Sequence, residues 1–287
     1  MKDEIRAAAV KNGISQTGFV RAEIFSSLAP FLDGKTVMTE PDIQKRINPF
    51  IGYEWAKTFI VCLLPYFTGG ERSEISRYAW GKDYHAVMRE YLSPVCLLLQ
   101  DKGYRAEIIC DNHSLNDRFL AYKAGLGFFG RNGFLINERC GTYTFIGSVV
   151  TDAEIEPDRP SGKKCAECGR CARACPGGAI SETGINAERC VSYITQKKGE
   201  LTKEEKSVIK KSGYIWGCDI CQEVCPHNEN AEMTDIGAFR DELIKSPVID
   251  GTMSNREFRR KYSERAFAWR GKQTILRNIR ISEGENL

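Results

Sequence analysis

The clustering of cysteine residues is the feature that most constrains how this chain of 287 residues can fold: eight of its twelve cysteines lie between residues 165 and 225. In the first run, two, two and three residues separate Cys165, Cys168, Cys171 and Cys175, and Pro176 follows. This spacing lets one loop place three thiolates on one 4Fe–4S cluster, while the fourth cysteine turns away towards a second cluster. The spacing therefore predicts iron–sulfur ligation.

A second run, Cys218, Cys221 and Cys225 followed by Pro226, repeats the pattern with one cysteine fewer, and Cys190 stands alone between the runs. Paired cysteines two residues apart also bind structural zinc, but the third cysteine of the first run and the two Cys-Pro endings favour iron–sulfur clusters. Eight thiolates make two sets of four. We assign one 4Fe–4S cluster to Cys165, Cys168, Cys171 and Cys225, and the other to Cys175, Cys190, Cys218 and Cys221. The last cysteine of each run thus binds the cluster of the other run, which keeps the clusters close enough for an electron relay.

Composition and charge describe an ordinary globular chain, with 42% hydrophobic residues, 28% charged residues and a net charge of +3. These values exclude a collagen, a coiled coil or a disordered chain, and so balanced a charge does not indicate a particular partner. The N-terminus has no secretory signal, and the most apolar stretch, Thr58–Pro65, is too short to span a bilayer. We therefore expect a cytoplasmic protein with no membrane partner, whose thiols stay reduced and available for metal ligation.

Strand-like and helix-like segments alternate before residue 151, which predicts an α/β first domain within an α+β protein. Residues 151–164 are polar, contain two prolines and are typical of a domain boundary. We expect one domain over residues 1–155, a ferredoxin-like domain over 156–240, and a basic C-terminal segment over 241–287 that packs on the core. The expected elements are strands at 56–64, 105–110 and 142–150 and helices at 3–11, 83–101, 114–123 and 202–211, with Ser114 as the N-cap of the third helix.

Candidate catalytic residues outside the cysteines are few, since the chain has only three histidines. Asp111 follows the expected strand at 105–110, and sites in α/β proteins gather at the carboxyl ends of strands; a simple turn residue is the alternative. The segment Gly125–Gly130 fits the G-x-G-x-x-G pattern, but a helix rather than a strand precedes it, which argues against dinucleotide binding. His85 lies in a segment like the start of a cobalt-ligating motif that lacks the motif's glycine, so we expect a hydrogen-bonded structural histidine.

Several segments together resemble the cobalamin-dependent epoxyqueuosine reductases, and the resemblance runs from about residue 1 to about residue 280. Glu40–Arg46 resembles the family's E-P-D-I-x-K-R, and Arg77–His85 resembles its R-Y-A-x-G-x-D-Y-H. The cysteine spacing fits as well. The other matching segments are Asp117-Arg118, Ala124–Asn132, Gly217–Asp219, Cys225–Asn228, Ser254–Phe258 and Trp269–Lys272.

This resemblance implies that the protein reduces epoxyqueuosine to queuosine at the tRNA wobble position. It implies a core like that of reductive dehalogenases, binding base-off cobalamin and substrate, followed by a ferredoxin-like domain with two 4Fe–4S clusters. Asp111 aligns with the aspartate that protonates the departing oxygen. Arg46, Ser76, Arg118 and Asn132 fall at or beside positions that face cobalamin or substrate. The implied partners are the tRNA anticodon stem-loop and an external electron donor of the flavodoxin or ferredoxin type, acting on a monomer.

Two departures from the family pattern leave other functions open. The family continues with Thr or Ser and then Gly after the acid, whereas this chain has Asn112 and His113, which would reshape the site or make His113 a second proton carrier. The chain resembles a short form without the C-terminal HEAT-like repeats, and the basic segment Arg256–Arg280 is a candidate for phosphate contact or a solvated helix. The alternatives are a cobalamin and iron–sulfur reductase of a small molecule, or a ferredoxin-like electron carrier.

Overall fold

The computed structural model describes residues 1–32, 39–182 and 184–284, and within it the chain forms two units. The first unit contains residues 1–65, 85–130 and 134–166, and the second contains residues 66–84, 131–133 and 167–287. Two short segments from the first half of the chain thus pack with the second half. The predicted domains at 1–155, 156–240 and 241–287 are defined by what each part would bind. That division stays a prediction, because the packing of the chain does not show what each part binds.

A four-stranded antiparallel sheet in the order β1-β2-β6-β3 forms the frame of the first unit. One of its two central strands, β2, is buried along nearly its whole length, as its uninterrupted apolar run predicts. A two-stranded sheet of β4 and β5 lies in the same unit. The strands are β1 (Gln16–Arg21), β2 (Thr58–Pro65), β3 (Ala106–Ile109), β4 (Phe128–Phe129), β5 (Leu135–Ile136) and β6 (Thr144–Thr151).

Helices complete both units, and the described residues contain no helix long and apolar enough to cross a membrane. In the first unit, Phe119 and Leu120 of one helix pack with Val61 and Val150 of the sheet in one apolar core. The helices are α1 (Lys2–Lys11), α2 (Ile43–Ile47), α3 (Tyr84–Asp101), α4 (Asp117–Lys123), α5 (Arg170–Ala174), α6 (Val191–Gln196), α7 (Lys203–Ser212), α8 (Ile220–Glu223), α9 (Gly237–Arg240), α10 (Asn255–Tyr262) and α11 (Lys272–Glu283).

The core of the second unit combines large aromatic side chains with aliphatic ones. Trp80 and Trp216 pack with Tyr262, Phe267 and Ile275 in one buried cluster. Tyr262 belongs to α10, Ile275 belongs to α11, and Trp80 lies in the segment that precedes α3. The two C-terminal helices therefore contribute their apolar faces to the same core as that segment. The basic C-terminal segment is thus an integral part of the second unit.

The predicted elements occur close to their expected places, with one correction at a helix start. The helix predicted from Ser114 begins at Asp117, and Asn116 is its N-cap, because the Asn116 side chain accepts the Phe119 backbone N–H at 2.9 Å. Ser114 and Asp117 have the spacing of a capping box, but the Asp117 carboxylate instead contacts His113 and the Asp111 backbone.

Candidate iron–sulfur and catalytic sites

Short helices and turns in the second unit carry most of the clustered cysteines. Helix α5 carries Cys171 and packs against α8, which carries Cys221. Gly169 precedes α5 with a φ of 69°, a left-handed conformation that glycine adopts without strain. The turn after Cys225 begins with Pro226, whose fixed φ suits the first position of a helical turn.

The four thiols assigned to the second cluster are half-buried and influence one another. Burial raises the pKa of the Cys218 thiol to about 12, and Asp219, Cys190 and Cys175 act in the same direction. Burial and the same neighbouring cysteines also raise the pKa of Cys221 well above its ordinary value. Neighbouring thiols that repel one another when ionised need a cation to hold them as thiolates, and iron is such a cation. This donor set therefore fits an iron–sulfur cluster.

The other four thiols differ widely in exposure. Cys168 is exposed, Cys165 and Cys171 are half-buried, and Cys225 is buried. Within residues 1–32, 39–182 and 184–284, no group of three or more His, Cys, Asp or Glu side chains is placed to hold a single metal ion. A 4Fe–4S cluster makes a different demand, because it is held by four thiolates that each bind a different iron.

Two of the residues predicted to contact cobalamin, Ser76 and Asn132, hydrogen-bond to the loop that carries Cys218 and Cys221. The Ser76 hydroxyl donates to Asp219 at 2.5 Å, and the Asn132 amide donates to the Cys221 carbonyl at 3.4 Å. Gly217 permits this packing, because a Cβ on it would lie 2.5 Å from the Ser76 Cβ. The second unit thus brings both side chains to one cysteine loop.

Asp219 is a buried residue whose role sequence reasoning missed. Its carboxylate accepts hydrogen bonds from the Ser76 hydroxyl, from the Arg77 backbone N–H at 2.7 Å and from the Gln222 amide at 3.0 Å. Burial raises its pKa from 3.8 to about 6, against the lowering effect of the Arg77 and Ser76 hydrogen bonds. The signal available was its place in the Gly217–Asp219 segment, between two cysteines.

Asp111 follows β3, as predicted, with Cys110 between them, and its backbone has a φ of 60°. A carboxylic acid that donates a proton near neutral pH is favoured by burial, which raises its pKa, but the Asp111 side chain is 60% exposed. His85 lies beside it, with Nε2 3.6 Å from Oδ2, a proximity that the sequence did not indicate. The neighbourhood of Asp111 in the first unit is therefore polar and open to solvent.

His113 lies in the same loop, but its side chain is only 4% exposed. Its Nε2 is 3.0 Å from Asp117 Oδ1, and its Nδ1 accepts the Leu115 backbone N–H at 3.2 Å. Burial opposes a charge on the ring, but the hydrogen bond to Asp117 and the charges of Asp117 and Asp111 raise the pKa of His113. Both ring nitrogens are thus engaged within the loop.

The remaining predicted cofactor residues, Arg46 and Arg118, both belong to the first unit. Arg46 is buried on α2, a helix capped by Asp42, whose carboxylate accepts the Gln44 backbone N–H. The Arg118 guanidinium on α4 stacks over the Phe134 ring, 4.6 Å from its centroid. Each is an anchored cation, suited to binding an anionic or carbonyl group of a cofactor or nucleic acid.

Comparison with known proteins identifies the family. The model of a 4Fe-4S double cluster binding domain matches residues 164–228, which contain all eight clustered cysteines, and the model of epoxyqueuosine reductase QueG, DUF1730 matches residues 46–112. The epoxyqueuosine reductase of Staphylococcus aureus is 34% identical over 97% of this chain and 78% of its own length. The chain belongs to the epoxyqueuosine reductase family. It is therefore an oxidoreductase with a 4Fe–4S-binding domain.

Solved epoxyqueuosine reductases have the same fold as this family member. One, crystallised with an epoxyqueuosine-modified tRNA-Tyr stem loop, matches with a TM-score of 0.90 and 32% identity over 99% of this chain and 81% of its own. The Bacillus subtilis enzyme, solved with its catalytic aspartate loop swung out of the active site, has the same TM-score, identity and coverage. A variant of the reductive dehalogenase NpRdhA, with a TM-score of 0.50 and 23% identity over 82% of this chain and 32% of its own, is similar in fold alone. These matches confirm the predicted fold class.

Proposed function

We propose that this protein reduces epoxyqueuosine to queuosine at the wobble position of tRNA, using cobalamin and two 4Fe–4S clusters. The observation that carries the proposal is the match to epoxyqueuosine reductases over 97% of the chain, which includes the segments around Asp111 and all eight clustered cysteines. The relative bound to an epoxyqueuosine-modified stem loop supports the same substrate class here.

The two clusters would be held by the sets predicted from the spacing. The mutual influence of Cys175, Cys190, Cys218 and Cys221 on their pKa values supports one set. The loop of the second set also contacts Ser76 and Asn132. A cluster in that loop would therefore lie next to two of the side chains proposed to bind cobalamin, as electron transfer to the cofactor requires.

Cobalamin would be held by Arg46, Ser76, Arg118 and Asn132, and when bound it would supply the low-valent cobalt that acts on the epoxide. No histidine motif competent to ligate cobalt occurs in the sequence, in agreement with a cofactor whose cobalt would take no histidine from the protein. The protein's own task is to orient the cofactor and the substrate and to limit the access of water.

Asp111 would protonate the oxygen that departs when the epoxide opens. An alkoxide is a poor leaving group, so a positioned carboxylic acid accelerates its release. Because the side chain is 60% exposed here, bound substrate and cofactor would have to cover it and favour its protonated form. The Bacillus subtilis relative, with its catalytic loop swung out, supports a loop that takes more than one position.

The tRNA anticodon stem-loop would contact the basic surface of α10. Its exposed arginines are Arg256, Arg259 and Arg260. Trp269, nearby in the sequence, is 56% exposed, and the Arg270 guanidinium lies 3.7 Å from its ring centroid. Cations that bind phosphate and an exposed aromatic ring on which a base can stack are the usual elements of RNA recognition.

The electrons for the reduction would come from an external flavodoxin or ferredoxin. The enzyme would act in the cytoplasm as a monomer.

The replacement Asp111→Asn tests the proposed role of the acid separately from the binding of cobalamin. The variant should keep its iron and should still bind cobalamin, which is measured by the absorbance of the corrin. Its turnover should fall at least about 100-fold, the usual contribution of a general acid. Glu107→Gln, an exposed carboxylate on β3, is the matched control and should turn over normally. Unchanged turnover in Asp111→Asn would remove Asp111 as the proton donor.

A further inference from the structure

The loop that carries Asp111 is held in an unusual backbone conformation. Asp111 has a φ of 60°, in the left-handed region that side chains other than glycine seldom adopt. Two tight backbone hydrogen bonds follow, from the Asn112 N–H to the Cys110 carbonyl at 2.6 Å and from the His113 N–H to the Asp111 carbonyl at 3.0 Å. Such a conformation persists only where neighbouring groups stabilise it.

Asp117 provides that stabilisation from the first turn of α4. Its Oδ2 accepts the Asp111 backbone N–H at 3.2 Å, while its Oδ1 lies 3.0 Å from His113 Nε2. One carboxylate thus contacts the backbone of Asp111 on one side and a buried imidazole on the other. The Asn116 cap fixes the position of this helix turn.

The second ring nitrogen of His113 determines which atom carries the proton. Because Nδ1 accepts the Leu115 N–H, the neutral ring must have its proton on Nε2, and it donates that proton to Asp117. The imidazole therefore connects the Leu115 backbone to the Asp117 carboxylate. With its side chain only 4% exposed, the ring has little room to take another orientation.

We propose that His113 is a positioning residue that acts through Asp117 to hold the backbone of Asp111, and thereby sets where the Asp111 carboxyl lies. The contacts of His113 and Asp117 are observed in the structure. The effect of His113 on turnover rests on the proposed role of Asp111. The role is particular to this chain, because the family segment that it resembles has glycine at the position of His113. His113 orients the acid and does not itself touch the substrate.

Two substitutions separate the two nitrogen atoms of the ring. In His113→Gln the side-chain amide can reach the place of Nε2 and donate to Asp117. In His113→Asn the side-chain oxygen can occupy the place of Nδ1 and accept the Leu115 N–H, but the side chain is too short to reach Asp117. The two variants thus each keep one of the hydrogen bonds and remove the other.

Residue-resolved hydrogen–deuterium exchange on the cluster-loaded protein reads both hydrogen bonds. We expect the Asp111 amide to exchange about tenfold faster in His113→Asn and at nearly the native rate in His113→Gln, since a hydrogen bond to a charged group contributes at least that factor. The Leu115 amide should show the opposite order. Iron content and far-UV circular dichroism confirm that each variant is folded. Equal Asp111 exchange in the two variants, or faster exchange of both amides in both variants, would overturn the proposal.

Turnover then distinguishes this proposal from the proposed function. With active wild-type enzyme, His113→Asn should lower kcat about tenfold with little change in KM, and His113→Gln should restore most of it, because a mispositioned acid affects the chemical step. If the wild type itself formed no queuosine, the proposed function would fail, while the exchange data would still decide the role of His113. A native kcat in His113→Asn alongside rapid Asp111 exchange would refute the link to catalysis.

Discussion

Replacing Asp219 with alanine removes the acceptor of three buried hydrogen bonds beside the loop of Cys218 and Cys221. The donors are the Ser76 hydroxyl, the Arg77 N–H and the Gln222 amide, at 2.5, 2.7 and 3.0 Å. Each buried donor left without an acceptor costs about 1 kcal/mol, or about 3 kcal/mol for the three. The expected loss of stability is therefore about 3 kcal/mol.

Thermal unfolding of the cluster-loaded protein, followed anaerobically by circular dichroism and by cluster absorbance, measures this loss. About 3 kcal/mol should lower Tm by about 6–12 °C in a protein of this size. Asp219→Asn keeps an acceptor for the Arg77 N–H and should cost only about 1 kcal/mol. Asp241→Ala, on an exposed carboxylate, should change Tm by at most about 2 °C. An Asp219→Ala protein that melts within 2 °C (~0.5 kcal/mol) of the wild type would refute the reasoning.

Three further results are expected. Cys190→Ala should lower iron from about eight to about four atoms per chain, whereas Cys62→Ala, in the buried strand β2, should keep about eight; unaltered iron in Cys190→Ala would refute its assignment as a ligand. Replacing the three arginines of α10 with glutamine should weaken binding of the tRNA stem-loop. The slope of the logarithm of the binding constant against the logarithm of the salt concentration should fall by about 1 for each phosphate that is no longer neutralised, and an unchanged slope would exclude α10 as the tRNA-binding surface. The pKa of His113 in the folded protein is raised above its ordinary value of 6.5. Protonation of His113 therefore contributes fully to the free energy of unfolding below pH 6.5, and this contribution is lost as the pH rises through the folded-state pKa. Histidine NMR titration should show that pKa falling in Asp117→Asn, and an unmoved midpoint would contradict the pairing.

Local patterns predicted the elements of the first unit better than their arrangement. The run Phe59–Leu64 predicted a strand covered on both faces, and β2 is buried in that way. Such runs are typical of parallel sheets, but β2 pairs antiparallel with both neighbours. Strand direction depends on the connections between strands, which local periodicity does not record. At α4, both Ser114 and Asn116 are good capping residues, and the contacts of Asp117 with His113 and the Asp111 backbone decide in favour of Asn116.

The 4Fe–4S-binding domain was predictable because the spacing of cysteines within short loops is itself the chemical requirement. The surroundings of Asp111 were not predictable, because they depend on side chains distant in sequence. His85 comes within 3.6 Å of Asp111 only through the packing of the first unit. The exposure of Asp111 is likewise a tertiary property, and the motif that identified this aspartate gave no information about it.

Queuosine formation under anaerobic conditions tests the central claim most directly. Cluster-loaded protein would be given a strong reductant and tRNA that contains epoxyqueuosine, with and without added cobalamin, and the nucleosides would be identified by mass spectrometry. The same sample would report corrin binding through its absorbance. We predict that queuosine appears only when cobalamin is present. A sample with bound corrin and full clusters that forms no queuosine would contradict the account and would point to a small-molecule substrate at the Asp111 loop.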